Sequence, residues 1–412
     1  MAKTIITISS LLLSIGILLF GNGLQGTLLV LRGTSENFSE NIIGIIMSMY
    51  FIGFISGTFL CPYIIERVRH VRTFAIMAAL CSSSTILMGL WVNPWVWCLV
   101  RFILGIAIVG IFMVTESWLN TQATNTNRGR LFSFYVLVNL TFLAAGQFLI
   151  LAGDIMSMKL FAIAAALYSL GLVPVALTRI PEPPSITRVS LDLKGLYRIS
   201  SLGFTGSLVS GFLNSLFWSL GPLFAQLSGL DEFGIAVFMS ITILGGAMFL
   251  WPIGYWSDHH NRYLTIMLVS FISVIASLFA IFVPTSTYYW IAICMFIYGG
   301  MMFSIYPLSV ANTNDQPEAV DRVAISTNLL FLYGIGAVLG PLTGGYVMRL
   351  FGHYSWYVLL IIGGTFLGIY AAYWYKRGST ISDVDRTTFV PFVRTSQVAI
   401  DLQTENNVKN SG

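Results

Sequence analysis

Charge is what this chain lacks. Its 412 residues include 21 Lys and Arg, 17 Asp and Glu and 4 His, so charged residues make up 9%, where a soluble chain carries about a quarter. A water-facing surface cannot be assembled from so few charges, which excludes a soluble enzyme, a nucleic-acid-binding surface and a disordered chain. The formal net charge of +4 is too small to specify a polyanionic partner. Cysteine is sparse as well: Cys61, Cys81, Cys98 and Cys294 lie in apolar runs at unrelated spacings, with neither a disulfide framework nor a zinc pattern. His70, His259, His260 and His353 are no better spaced for a metal, and no Gly-x-x-x-x-Gly-Lys-Ser/Thr phosphate loop occurs. No cofactor and no metal are therefore expected. The apolar runs contain no histidine to act as a base beside a nucleophile, so the chain does not read as an enzyme.

What is abundant is apolar surface, with 56% of residues hydrophobic. Apolar runs alternate with short polar breaks at about 5–31, 41–65, 72–92, 95–119, 131–152, 158–178, 200–227, 233–257, 263–283, 287–311, 322–348 and 354–375. Each is long enough to cross ~30 Å of hydrocarbon at about 1.5 Å per residue. Lipid leaves no open sheet as an alternative, so the expected fold is an all-α membrane protein of twelve transmembrane helices. Lys3 ahead of an apolar stretch resembles a secretory leader. However, the run continues to about Val30 without a small-x-small cleavage site, so a retained helix is expected.

The cations set the expected orientation. With the N-terminus in the cytoplasm, Lys3, Arg67, Arg69, Arg72, Arg128, Arg130, Arg179, Arg188, Lys194, Arg198, Arg262, Arg322, Lys376, Arg377, Arg386, Arg394 and Lys409 all fall inside; Arg32, Lys159 and Arg349 fall outside. That asymmetry satisfies the positive-inside rule with both termini cytoplasmic. Two stretches break the apolar pattern. Residues 179–199, with Arg179-Ile-Pro-Glu-Pro-Pro-Ser, read as a cytoplasmic linker between six-helix bundles at 1–178 and 200–375, and 376–412 read as a flexible cytoplasmic tail.

The six-plus-six division comes with internal similarity. Asn22 and Asn214 are 192 apart, as are Glu66 and Asp258; Gly105 and Gly299 are 194 apart, as are Gly146 and Gly340. A near-constant offset points to one duplicated unit and to a substrate cavity between two parallel repeats. The loop after the eighth run, Trp251-Pro-Ile-Gly254-Tyr-Trp-Ser-Asp258-His-His-Asn-Arg262, combines a glycine for close helix packing, an acid that can face a helix N-terminus, and a cation able to pair across the cytoplasmic seam. Its first-half counterpart, Pro62-Tyr-Ile-Ile-Glu66-Arg67-Val-Arg69-His-Val-Arg72, keeps the acid and cations and loses both glycines.

These loops and the twelve-helix plan resemble the major facilitator superfamily. Gly336-Ala-Val-Leu-Gly340-Pro341-Leu-Thr-Gly344-Gly345 is similar to its Gly-x-x-x-Gly-Pro-x-x-Gly motif, though on the eleventh helix rather than the fifth. Arg101-Phe-Ile-Leu-Gly105 looks like the Arg-x-x-x-Gly motif that the family associates with proton coupling. Glu116-Ser-Trp-Leu-Asn120 and the Trp251-Pro-Ile-Gly254 run look most like the YcaD-type bacterial inner-membrane members. The sequence departs from the loop pattern at Pro62 for Gly, Glu66 for Asp and Arg69 for the second Gly. The resemblance implies a rocker-switch secondary transporter, with a cytoplasmic gate at Glu66, Arg67, Arg72, Arg128, Arg130, Gly254, Asp258 and Arg262.

Charge in hydrocarbon costs about 2.5 to 3.5 kcal/mol per residue on insertion scales, so the survivors are candidates for function. Arg101 and Glu116, both in the fourth run, are the two. Arg101 reads either as a cavity cation for an anionic group or as a side chain snorkelling to the outer interface. Glu116 reads either as a protonatable carrier or as one half of a salt bridge to Arg128 or Arg130. Asn22, Gln25, Asn139, Gln147, Asn214, Trp218 and Asn328 are candidate solute contacts or helix-to-helix glue. Gly105 and the smooth face expected of Gly336, Gly340, Gly344 and Gly345, broken by Pro341, read as packing or hinge positions. Trp91, Trp95, Trp97 and Trp290 are expected as interface anchors. The function expected is proton-coupled transport of a small organic solute by a monomer in the bacterial inner membrane. The alternative is a non-transporting sensor with a transporter-like body.

Overall fold

The computed structural model describes residues 2–123, 128–178, 183, 191–283, 288–316, 322–377 and 389. Among these, regular structure is helical throughout. The helices are α1 Ala2–Ser35, α2 Glu40–Val68, α3 His70–Leu90, α4 Pro94–Gln122, α5 Arg128–Gln147 with a 3-10 turn at Phe148–Ala152, α6 Lys159–Leu170, α7 Leu172–Leu177, α8 Leu193–Ile199, α9 Ser201–Leu227, α10 Glu232–His259, α11 Arg262–Phe282, α12 Tyr288–Asn314, α13 Arg322–Phe351 and α14 Ser355–Arg377. Twelve of the helical segments are long and apolar enough to span a bilayer, six before Thr178 and six from Ser201.

Two expected boundaries change for local reasons. The sixth span is interrupted at Gly171 because Ser14 Oγ of α1 accepts the Val175 N–H at 3.2 Å, and Pro174 brings no donor of its own. The linker, expected to be irregular to 199, ends in α8. Asp192 caps it by accepting from the Gly195 N–H at 2.9 Å, and Leu196 is buried.

The chain divides into two compact units. One holds Met1–Phe38 and Ile45–Val189; the other holds Ser39–Gly44 and Ser190–Val393. In the first, α1 packs on α5 and α6, and α3 on α4 and α6. In the second, α9 packs on α13 and α14, and α11 on α12 and α14. The close approaches repeat as well. A methyl on Gly105 would strike the Tyr50 carbonyl oxygen, and one on Gly299 would strike that of Thr242; Gly53 and Gly245 stand likewise against Phe102 and Phe296. Gly146 meets the Phe20 carbonyl, and Gly340 meets that of Phe212 as well as the Ser215 hydroxyl. The anchors that are 194 apart in sequence thus make the same backbone contacts in each unit.

The glycines of α13 form two faces where one was expected. Gly336, Gly340 and Gly344 face α9, while Gly345 and the Pro341 carbonyl face the turn Ser39–Gly44 at the start of α2. Trp97 is also not an interface anchor. It is 1% exposed, and its indole N–H donates to the carbonyls of Met88 and Trp91, both at 3.0 Å, whereas Trp91, Trp95 and Trp290 are exposed.

Candidate functional site

In the first unit α4 carries both charges expected in hydrocarbon, and both are buried, Arg101 at 4% exposure and Glu116 at 0%. The helix starts where it does because Asn93 Oδ1 accepts from the Trp95 and Val96 amides at 2.9 and 3.4 Å, and Pro94 follows at a position that needs no donor. Arg101 lies two turns further on. Its Nη1 donates to Gln25 Oε1 at 3.1 Å, and its guanidinium carbon is 4.6 Å from the centre of the Tyr50 ring. The side chain is therefore turned onto α1 and α2, where an amide and a ring face offset part of its lost hydration. A carboxylate would be a stronger partner than the Gln25 amide, because both partners would then carry charge.

The neutral candidates around Arg101 divide into two groups. Gln25 is brought to the cation, and its Nε2 also approaches the Met88 sulfur at 3.8 Å. Asn22 and Gln147 instead tie helices together: Tyr168 Oη donates to Asn22 Oδ1 at 3.0 Å, Thr27 Oγ1 to Gln147 Oε1 at 2.5 Å, and Gln147 Nε2 to the Gly23 carbonyl at 3.0 Å.

Glu116 lies on the order of 22 Å further along the same helix. Its Oε1 accepts from Tyr135 Oη of α5 at 3.2 Å, and Asn139 is buried one turn beyond Tyr135. Trp118, two residues after Glu116, is fully buried with its ring 6.0 Å from those of both His70 and Phe74. Of the two arginines expected beside Glu116, Arg130 is exposed, and the Arg128 side chain lies outside the described residues. Glu66, Arg67 and Arg72 are all exposed at the turn between α2 and α3.

The second unit holds a buried ionic network at the α10–α11 turn. Arg262 opens α11 and is 4% exposed. Its Nε donates to Asp315 Oδ2 at 2.6 Å, and its Nη1 to Ser257 Oγ at 2.9 Å and Asp258 Oδ1 at 3.1 Å. The acid bonded to the Arg262 Nε is Asp315, in the same unit as Arg262. Asp315 is not among the residues the sequence analysis singles out; it is the first of three acids, with Glu318 and Asp321, in the polar break after the tenth apolar run. The other candidates here serve local contacts. Asn214 Nδ2 donates to the Ser210 carbonyl at 3.0 Å, Asn328 Oδ1 accepts the Asp192 N–H at 2.8 Å, and Trp218 packs its ring 6.0 Å from that of Phe303. In the tail, expected as a flexible extension, Phe389 is 8% exposed, and its N–H donates to both oxygens of Asp258.

Comparison with known proteins agrees with this architecture. A family model described as Major Facilitator Superfamily matches residues 11–331. The chain is 28% identical over 338 residues to an Escherichia fergusonii protein named "Uncharacterized MFS-type transporter YcaD", covering 82% of this chain and 86% of that one. Identity to the Shigella flexneri protein of the same name is 27% over 327 residues, 79% of this chain and 84% of that one. Among solved structures, the nucleoside transporter NupG superposes with a TM-score of 0.74 at 17% identity over 92% of this chain and all of its own. A bacterial homologue of the human lysosomal transporter Spinster gives a TM-score of 0.69 at 15% identity, covering 92% of this chain and 98% of that one.

Proposed function

The chain belongs to the major facilitator superfamily, and on that premise we propose that it is a proton-coupled secondary transporter moving a small organic solute across a bacterial inner membrane by alternating access. The observation that carries this reading is the pair of buried charges on α4. Each costs a few kcal/mol to hold in hydrocarbon, and a helix that needed only to pack would not keep them. Arg101, flanked by Gln25 and the Tyr50 ring, serves as the anchor for a polar or anionic group of the solute. Glu116, buried against Tyr135 on the same helix as Arg101, serves as the proton carrier. One cation among amides and rings fits a neutral, amphiphilic or monoanionic solute. The cation distribution supports cytoplasmic termini, and the two units together make a working monomer.

The test is transport by purified protein in proteoliposomes, with and without an imposed pH gradient, using solutes selected by thermal shift. Wild type should accumulate solute under the gradient. Glu116→Gln should lose accumulation and keep counterflow. Accumulation that survives in Glu116→Gln sinks the carrier role, and a solute that binds but never crosses would favour a sensor.

A further inference from the structure

Phe389 lies 12 residues beyond the end of α14, in a tail without sustained apolar period, yet it is buried in the second unit. Its ring rests on Gly254 of α10. A Cβ there would run into ring atoms Cδ1 and Cε1 and would lie 2.7 Å from Cγ, so the ring occupies the space of the missing side chain. One turn further along α10, Asp258 accepts the Phe389 N–H on Oδ1 at 2.9 Å and on Oδ2 at 3.1 Å. Two independent features meet at this place: a side-chain-free step that takes a phenyl ring, and a carboxylate that takes the amide of the same residue. Asp258 is also bonded to Arg262, and Arg262 to Asp315, so the tail residue is one bond away from the buried ionic network.

We infer that Phe389 is an intramolecular latch, docked on the Gly254–Asp258 face of α10, that restrains the α10–α11 turn. Glycine faces are where helices approach one another most closely. With a phenyl ring on Gly254 no helix can close onto that face, and with both oxygens of Asp258 engaged its capacity for a new partner is reduced. The same chain can supply the residue, because 12 residues from Arg377 reach up to about 40 Å when extended. The docking stands apart from the transport reading; its consequence, a slowed cycle, rests on it.

Limited trypsin digestion of the full-length protein in nanodiscs tests the docking without any solute. A protease needs an extended, undocked segment around the cleaved bond, and Arg386 is three residues from Phe389. Cleavage at Arg386, normalised to cleavage at Lys409, should be slow in wild type and several-fold faster in Phe389→Ala and in Gly254→Leu. Phe389→Ala leaves every residue of the spanning helices in place, so it keeps the test valid if Gly254→Leu misfolds. Equal rates in wild type and Phe389→Ala would overturn the latch. Protection that falls on dilution in detergent would overturn its intramolecular form by assigning the site to a second copy. In the transport assay Phe389→Ala should turn over faster than wild type; unchanged or slower turnover overturns the restraint. Absence of transport by wild type would instead count against the function proposed above.

Discussion

His70 and Arg262 occupy equivalent places in the two units. Each is the first residue of its unit's third spanning helix, the two are 192 apart in sequence, and both are buried. Each ties that helix to the C-terminal end of the unit's fourth. His70 Nε2 meets Ser117 Oγ on α4 at 3.1 Å, and Arg262 Nε donates to Asp315 Oδ2 just past α12 at 2.6 Å. One tether pairs an imidazole with a hydroxyl, and the other pairs full charges.

That difference predicts unequal costs. Removing one partner of a buried ion pair strands the other and costs about 3 to 5 kcal/mol, whereas losing a hydrogen bond to a neutral group costs about 0.5 to 1.5 kcal/mol. Asp315→Asn should therefore lower the melting temperature in detergent far more than Ser117→Ala, with Arg262→Met partly rescuing Asp315→Leu. Equal losses would mean that the Arg262–Asp315 pair carries no more of the stability than the His70–Ser117 contact.

The repeated backbone approaches predict parallel defects. Gly105→Leu and Gly299→Leu each push a side chain into a carbonyl on the neighbouring helix, so both should cut folded yield severely, as judged by size-exclusion profile. Gly26 lies within α1 with nothing within 4 Å of a would-be Cβ, and Gly26→Ala should stay within about 1 kcal/mol of wild type or improve on it. A well-folded Gly299→Leu protein would refute the equivalence of the units.

Arg69, between α2 and α3, has φ 73° and ψ 167°, a region that glycine alone enters freely. The strain is worth about 1 to 3 kcal/mol, and the greater entropy of glycine in the unfolded chain returns about 0.4 to 1 kcal/mol of it. Arg69→Gly should thus stabilise the protein by about 1 kcal/mol, visible as a higher melting temperature. A lower melting temperature would show that the Arg69 side chain contributes more than its backbone costs.

At Arg101 the planar group matters as well as the charge. Lysine keeps the cation but loses the flat face over Tyr50 and the forked donors. Arg101→Lys should transport with KM raised about tenfold, a loss of some 1.4 kcal/mol in binding, and Arg101→Ala should not accumulate solute. Wild-type kinetics in Arg101→Ala would remove the residue from the pathway.

The twelve spans are legible in the sequence because lipid demands long apolar runs, and the start of the fourth is fixed by the Asn93 cap. Segments whose structure depends on one tertiary contact are not. The break at Gly171 needs Ser14 from another helix, and α8 is too short for a periodic signal. In the candidate site, the burial of Arg101 and Glu116 follows from the rarity of charge. The partners of the polar residues do not, since nothing local separates Gln25, drawn to a cation, from Gln147, which bonds a threonine and a carbonyl. His70 was accessible: the 192-residue offset applied to Arg262 lands on it. The arginines on either side of it, Arg67, Arg69 and Arg72, are exposed instead.

The matched glycine contacts also bear on how the two halves could drift apart. In each such contact one position must stay without a side chain, and the facing position is met first at its backbone carbonyl, so the contact itself asks little of that residue's identity. Tyr50 in one unit corresponds to Thr242 in the other at the same contact. A gene duplicated and fused in this way can lose nearly all letter-by-letter likeness between its halves and still keep their architecture, because the inherited constraint is a sparse set of vacancies along the helices. An internal symmetry search that weights glycines above all other residues should recover the ancestral unit where ordinary self-alignment fails.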